Sequence, residues 1–235
     1  MATYHPQAFD AADELTARAI ILTPEGSTIE ERWARETPYV GNRIVELLDL
    51  RADDIVVDFG CGIGRVAKEL IGRIGCRVLG VDISLRMRAM AAEYVASDRF
   101  EAVSVEEFDR RVASGWRAYA AYTCWVLQHC VDPRAEIARI AAALPPDSGI
   151  AVLNSVFTQA IPTDAGWTLD RVDMRAVLQE TLSELNAEKL PPEVAAPDLL
   201  HTTFFGLYRT APAAAPNPPE PAAPGGLLKR LFRRD

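Results

Sequence analysis

The sequence predicts an α/β fold, a doubly wound and mainly parallel sheet with helices on both faces. Two observations carry this. The run VVDFGCGIG, Val56 to Gly64, is an apolar, β-branched strand that ends at an acid and passes through three alternate glycines into a helix. From there to Asn154, strand-like and helix-like patterns keep alternating, which requires crossover connections. In such a sheet a ligand is expected beyond the carboxyl ends of the strands.

The elements follow in order. TPYVGNRIVELLDL, from Thr37, offers a threonine cap, a proline at the first helical position and Val40, Ile44, Leu47 and Leu48 at helical spacing. Ile55 to Asp58 is the first strand. Val66, Leu70 and Ile74 then share one helical face, and Gly75 ends that helix before a second strand, Arg77 to Asp82. Ser84 caps the helix LRMRAMAAEYVA, Phe100 to Val103 is a third strand, a short helix covers about Glu106 to Val112, and Ala118 to Thr123 is a fourth strand. Asp132 and Pro133 start the helix RAEIARIAAAL, which Pro145, Pro146 and Gly149 break before the fifth strand, Ile150 to Asn154. A last helix is expected over Val172 to Leu185, followed by NAEKL and HTTFFGLYRT as a strand pair at one sheet edge.

The length of 235 residues suits one domain with a tail. Residues 1–36 read as an N-terminal helical lid region, 37–210 as the main domain, 211–226 as a Pro/Ala-rich linker and 227–235 as a basic amphipathic segment. That last segment, LLKRLFRRD from Leu227 to Asp235, is either a solvated terminus or a weak contact for an anionic membrane surface or a partner protein.

Hydrophobic residues at 49% and charged residues at 25% exclude a disordered or fibrous chain. A net charge of -8 would repel a phosphate backbone, so nucleic acid is not expected as a partner. No stretch resembles a secretory leader or approaches the roughly 20 apolar residues of a membrane span, and a cytoplasmic location is expected. Cys61, Cys76, Cys124 and Cys130 are spaced for neither zinc ligation nor a disulfide scaffold, and His5, His129 and His201 form no paired metal motif. No metal is expected.

The glycine pattern itself discriminates between ligands. A dinucleotide turn needs a third small residue where Arg65 stands. Glycines at 60, 62 and 64 bring the backbone close to a ligand without a pyrophosphate, and Asp58 suits one carrying positive charge. DFGCGIG resembles motif I of the class I S-adenosylmethionine-dependent methyltransferases, of the small-molecule, type 11/12-like group. The resemblance spans about Tyr39 to Arg209.

It implies a Rossmann-like, seven-stranded sheet, S-adenosylmethionine as cofactor and S-adenosylhomocysteine as product. The cofactor's methionine half would lie over Asp58, Gly60, Cys61, Gly62, Gly64 and Arg65. Asp82, with Ile83 beside it, matches the family acid that accepts from both ribose hydroxyls, a task for which a carboxylate has two acceptor oxygens. CWVLQHCVDP, Cys124 to Pro133, resembles the family segment after strand four and places Thr123 and His129 at the cleft. Three departures accompany this. Gln128 stands where some quinone O-methyltransferases carry a glutamate implicated in metal binding, SVEEF leaves Val105 and Glu106 as the adenine-side choices, and Ala120 replaces a frequent aspartate.

Methyl transfer is an in-line displacement that alignment alone accelerates strongly. A hydroxyl or protonated amine acceptor also profits from a general base, and His129 is the candidate, or else a lining residue. Trp125 would stack on a planar acceptor or fill the layer under a helix. Trp33, Arg35 and Tyr39 would form a lid, or else ordinary helix surface. The N-P-P-Y motif of amino-methylating nucleic-acid enzymes is absent, with Thr123, Cys124, Trp125 and Val126 in its place. The expected activity is methyl transfer to a small molecule, O-methylation ahead of N- or C-methylation. The alternatives are a catalytically idle binding module recruited through its basic tail and an NAD(P)-linked oxidoreductase.

Overall fold

The computed structural model describes residues 2–156, 159–170 and 172–213. Helices α1 (Glu14–Ile21) and α2 (Ile29–Leu48) precede a regular alternation. This runs β1 (Ile55–Phe59), α3 (Arg65–Ile74), β2 (Arg77–Val81), α4 (Leu85–Val95), β3 (Phe100–Val103), α5 (Val105–Ala113), β4 (Ala120–Cys124), α6 (Pro133–Ala142) and β5 (Gly149–Ser155). A hairpin of β6 (Gln159–Thr163) and β7 (Gly166–Asp170) follows, then α7 (Met174–Gln179), β8 (Ser183–Glu188) and β9 (Thr203–Arg209).

Seven strands form one sheet in the order β3-β2-β1-β4-β5-β9-β8, and the hairpin stands apart from it. The first five strands pair in parallel, while β9 runs antiparallel to both β5 and β8. Alternation along β1 sends Val57 and Phe59 into the layer under α5, α6 and α7, and Val56 into the layer shared with α2 and α3. Strand order reverses between β1 and β4, which opens a crevice at their carboxyl ends.

Three expectations are corrected. The helix leading to the turn begins at Thr28, not Thr37: Thr28 Oγ1 accepts the Glu31 N–H and the Glu31 carboxylate accepts the Thr28 N–H, each at 3.1 Å, which makes a capping box. Pro38 lies inside this helix, where one lost backbone bond is offset by the burial of Thr37, Val40, Gly41 and Ile44. The boundary at residues 36 and 37 therefore falls within a single helix. The helix expected over Val172 to Leu185 is only α7, and Ser183–Glu188 is a strand because it pairs along β9. The hairpin was not foreseen, its turn being hidden behind Pro162, a residue confined to strand edges. The linker and the basic segment fall almost wholly at 214–235, outside the described residues.

The N-terminal segment docks on the hairpin. His5 N–H donates to Pro162 O at 2.9 Å, Asp164 N–H donates to Thr3 O at 3.0 Å, and Tyr4 bridges to Thr163. Among the described residues, no helix is long and apolar enough to cross a membrane.

Candidate active site

A cavity of about 960 Å³ opens at the carboxyl ends of the central strands, near the upper end for small-molecule sites. The glycine turn forms its floor. Gly60 and Cys61 N–H donate to Val81 O at 2.8 and 3.0 Å, Gly62 N–H donates to Asp82 Oδ2 at 2.8 Å, and Gly64 N–H donates to Cys61 O at 2.8 Å. These amides are satisfied within the protein, so the turn does not present them as a row of donors for a pyrophosphate. Gly60 has φ +79°, and a Cβ there would lie 2.2 Å from Val126 Cγ2, so both conformation and space demand glycine.

Two carboxylates flank this turn. Asp82 Oδ1 accepts the Ser84 N–H at 2.9 Å and Oδ2 accepts Gly62, so each oxygen keeps acceptor capacity toward the cavity it lines. Burial pushes its carboxyl above the usual range. Asp58, buried at the end of β1, is raised to about 7, mainly by burial and further by Asp82, while the Tyr122 hydroxyl and Arg65 pull the other way.

Arg65 is only 3% exposed, and its Nε has no hydrogen-bond partner. Its Nη1 donates to Thr37 Oγ1 at 3.2 Å, and its Nη2 lies 3.9 Å from Glu36 Oε1. Glu36, fully buried, also accepts from Arg32 Nε and Nη2 at 3.0 and 2.7 Å and from Trp125 Nε1 at 2.8 Å. Two buried guanidinium groups thus share one carboxylate beside the cavity. Trp125 holds φ +63°, a rare and strained conformation for a bulky residue, with the Arg32 guanidinium 5.7 Å from its ring centroid.

Most of the sequence-predicted residues meet here. Asp58, Gly60, Cys61, Gly62, Arg65, Asp82 and Ile83 line the cavity, as do Val105 and Glu106 at the start of α5 and His129 after β4. Gly64 sits one step behind, as the left-handed cap of α3. Burial holds the Cys61 thiol well above its usual range, so it stays protonated. Thr123 is a correction: strand alternation turns it into the layer with Leu127, Ile137 and Val152, and Cys124 faces the cavity instead. The lid is a second one. Trp33 packs against the guanidinium groups of Arg18 and Arg65, and the exposed Arg35 donates to Glu31 O and to Ser27 Oγ at the start of α2. Tyr39 packs in the core layer of α2 and lies outside the lining, and the cover comes from Phe9, Ile20, Ile21 and Trp167.

His129 stands between roof and floor. Its ring centroid is 5.5 Å from Phe9 and 5.8 Å from Trp167, its Nδ1 is 2.7 Å from Ala160 O, and its Nε2 is 3.1 Å from Gln128 Nε2. Burial lowers its pKa, so the ring is neutral near pH 7. Sequence reasoning missed Arg32 and Glu36, whose spacing is that of an ordinary exposed helical pair. Among the described residues, no three His, Cys, Asp or Glu side chains are placed to hold a metal ion.

Comparison with solved structures defines the fold. The [4+2]-cyclase SpnF superposes with a TM-score of 0.58 at 17% identity, with 74% of this chain and 82% of that one covered. The CurJ carbon methyltransferase gives 0.61 at 13% identity over 88% and 61%. Phosphoethanolamine N-methyltransferase 2 of Haemonchus contortus, in complex with S-adenosyl-L-methionine, gives 0.55 at 14% identity over 74% and 52%. These likenesses establish the Rossmann-like methyltransferase fold. Residues 27–189 match the family described as Methyltransferase domain, and the protein belongs to that family; it is a methyltransferase. No curated protein matches the sequence.

Proposed function

We propose that the protein uses S-adenosylmethionine to methylate a small molecule, with a hydroxyl as the favoured acceptor. The observation that carries this is the donor and acceptor set around the turn: Asp82 with two free acceptor positions on one side, and Arg65 with an unpartnered buried Nε on the other. That set fits a vicinal diol and a carboxylate held at one glycine-floored site.

Asp82 would hold the ribose, Arg65 the carboxylate and Asp58 the ammonium of the methionine half. Val105 and Glu106 would border the adenine, with Ile83 at its edge. Bound there, the cofactor supplies a methyl group already activated on a sulfonium. The chain's own task is then to align the acceptor and remove its proton. Trp125 and the roof formed by Phe9 and Trp167 confine the acceptor, and neutral His129 offers Nε2 to its hydroxyl proton. A small-molecule acceptor and a cytoplasmic setting belong to the same proposal.

The test is product analysis with hydroxyl, amine and activated-carbon acceptors, run on wild type and His129→Ala. The variant should lose roughly 10²- to 10⁴-fold in turnover, the usual weight of a general base, with unchanged affinity for S-adenosylhomocysteine. Wild-type turnover in the variant would dismiss His129 as base, and exclusively N- or C-methylated products would replace the hydroxyl reading.

A further inference from the structure

The loop after β4 contains a chain of hydrogen bonds whose directions are fixed at both ends. At one end Ser155 N–H, in β5 beyond the last residue that pairs with β4, donates to Gln128 Oε1 at 2.9 Å. A backbone amide can only donate, so the Gln128 oxygen faces Ser155 and its NH₂ faces His129, where Nε2 lies 3.1 Å away. At the other end His129 Nδ1 lies 2.7 Å from Ala160 O, and a carbonyl can only accept. The single assignment that satisfies all three contacts puts the proton on Nδ1 and leaves Nε2 bare. Turning the Gln128 amide over would set its NH₂ against the Ser155 donor. Protonating Nε2 would set two donors face to face.

We infer that Gln128 is a positioning residue, which holds His129 in the Nδ1–H tautomer with its Nε2 lone pair kept unprotonated for the acceptor. The inference rests on the proposed role of His129. The same chain ties the hairpin, through Ala160, to the end of β5, so the roof of the cavity and the central sheet share one oriented relay. An incoming hydroxyl exchanges with the Gln128 amide at Nε2, one donor for another, and then passes its proton to that nitrogen. The groups packed against the ring are Phe9 from the N-terminal segment, Ala160 and Trp167 from the hairpin and Gln128 itself, none of them charged. Tyr4 and Cys130 in the cavity wall are pushed upward by burial, the thiol to about 12, and are neutral near pH 7; the charged residues of the same wall that closely follow His129 in sequence are Asp132, Glu136 and Arg139, the last two ion-paired with each other.

The test is long-range proton–nitrogen NMR on the full chain labelled with ¹⁵N-histidine, assigned with His5→Gln and His201→Gln variants. It needs no acceptor, so it stands apart from the activity assay. In wild type His129 should show a protonated Nδ1 and a bare Nε2 across neutral pH. Gln128→Glu gives the imidazolium a carboxylate partner and should raise the His129 titration by about one pH unit or more. Gln128→Met, which removes the donor without adding charge, should raise it by less, and it serves if the glutamate variant does not fold. An Nε2–H tautomer in wild type, or a His129 titration unmoved in a folded Gln128 variant, would overturn the assignment.

Discussion

Glu36→Gln isolates the buried charge cluster beside the cavity. The substitution preserves shape but removes the carboxylate that Arg32 and Arg65 share, and it sets an amide NH₂ against the Arg32 donors. Glu36, Arg32 and Arg65 are 0%, 2% and 3% exposed, so water cannot take over the lost partner. At an effective dielectric of about 20, a charge pair near 4 Å is worth about 4 kcal/mol, and breaking a buried pair from one side costs about 3–5 kcal/mol. The predicted loss is therefore about 4 kcal/mol, a large share of the roughly 5–15 kcal/mol that stabilises a typical domain. Urea unfolding at pH 7 measures it. Glu180→Gln is the control: Arg134 contacts Glu180 twice at 2.6 Å, yet the two side chains are 56% and 45% exposed, and the loss should stay within about 1 kcal/mol. A loss below about 1 kcal/mol for Glu36→Gln, or equal losses in both variants, would refute the reasoning that burial decides the difference.

Two further predictions concern the turn. Gly60→Ala should cost about 3 kcal/mol or more through left-handed strain and the 2.2 Å clash with Val126, while Gly72→Ala, mid-helix with nothing within 4 Å, should gain up to about 1 kcal/mol; thermal melts of the pair compare them. Asp58 has its folded pKa raised from 3.8 to about 7, so its contribution is fully present below pH 3.8 and is lost as pH rises through 7. Wild type should accordingly lose stability against Asp58→Asn between pH 4 and 8, by at most about 4 kcal/mol at about 1.4 kcal/mol per pH unit; a difference that stays flat over that range would show that Asp58 is not held neutral by burial.

The first half of the fold was legible because each element carried two agreeing signals. Ser84 and Asp132 cap their helices as read, Gly75 ends α3, and the β-branched runs became buried parallel strands. Where signals competed, the reading failed. Thr37 and Pro38 mimic a helix start, but the true cap, Thr28 with Glu31, lies upstream and the buried face carries the helix through the proline. Ser183–Glu188 contains helix formers, yet the pairing partner in β9 decides its state.

The same division runs through the site. The glycine turn, Asp58 and Asp82 are local in sequence and were found together. Glu36 was invisible because its meaning depends on Trp125 and Arg65, brought to it from the loop after β4 and from α3. Thr123 was misplaced by one residue of strand alternation, which the motif alone does not fix. The Gln128 relay also needs the hairpin and β5, neither of which is adjacent to it in sequence.

The turn and its two acids are proposed to hold S-adenosylmethionine. Calorimetric titration of wild type and Asp82→Ala with S-adenosylmethionine, S-adenosylhomocysteine and NADH tests it most directly. Micromolar binding of both sulfur ligands, none of NADH, and a loss of at least about 1 kcal/mol in the variant are expected. Binding of NADH, absence of binding by either sulfur ligand, or unchanged affinity in Asp82→Ala would contradict it.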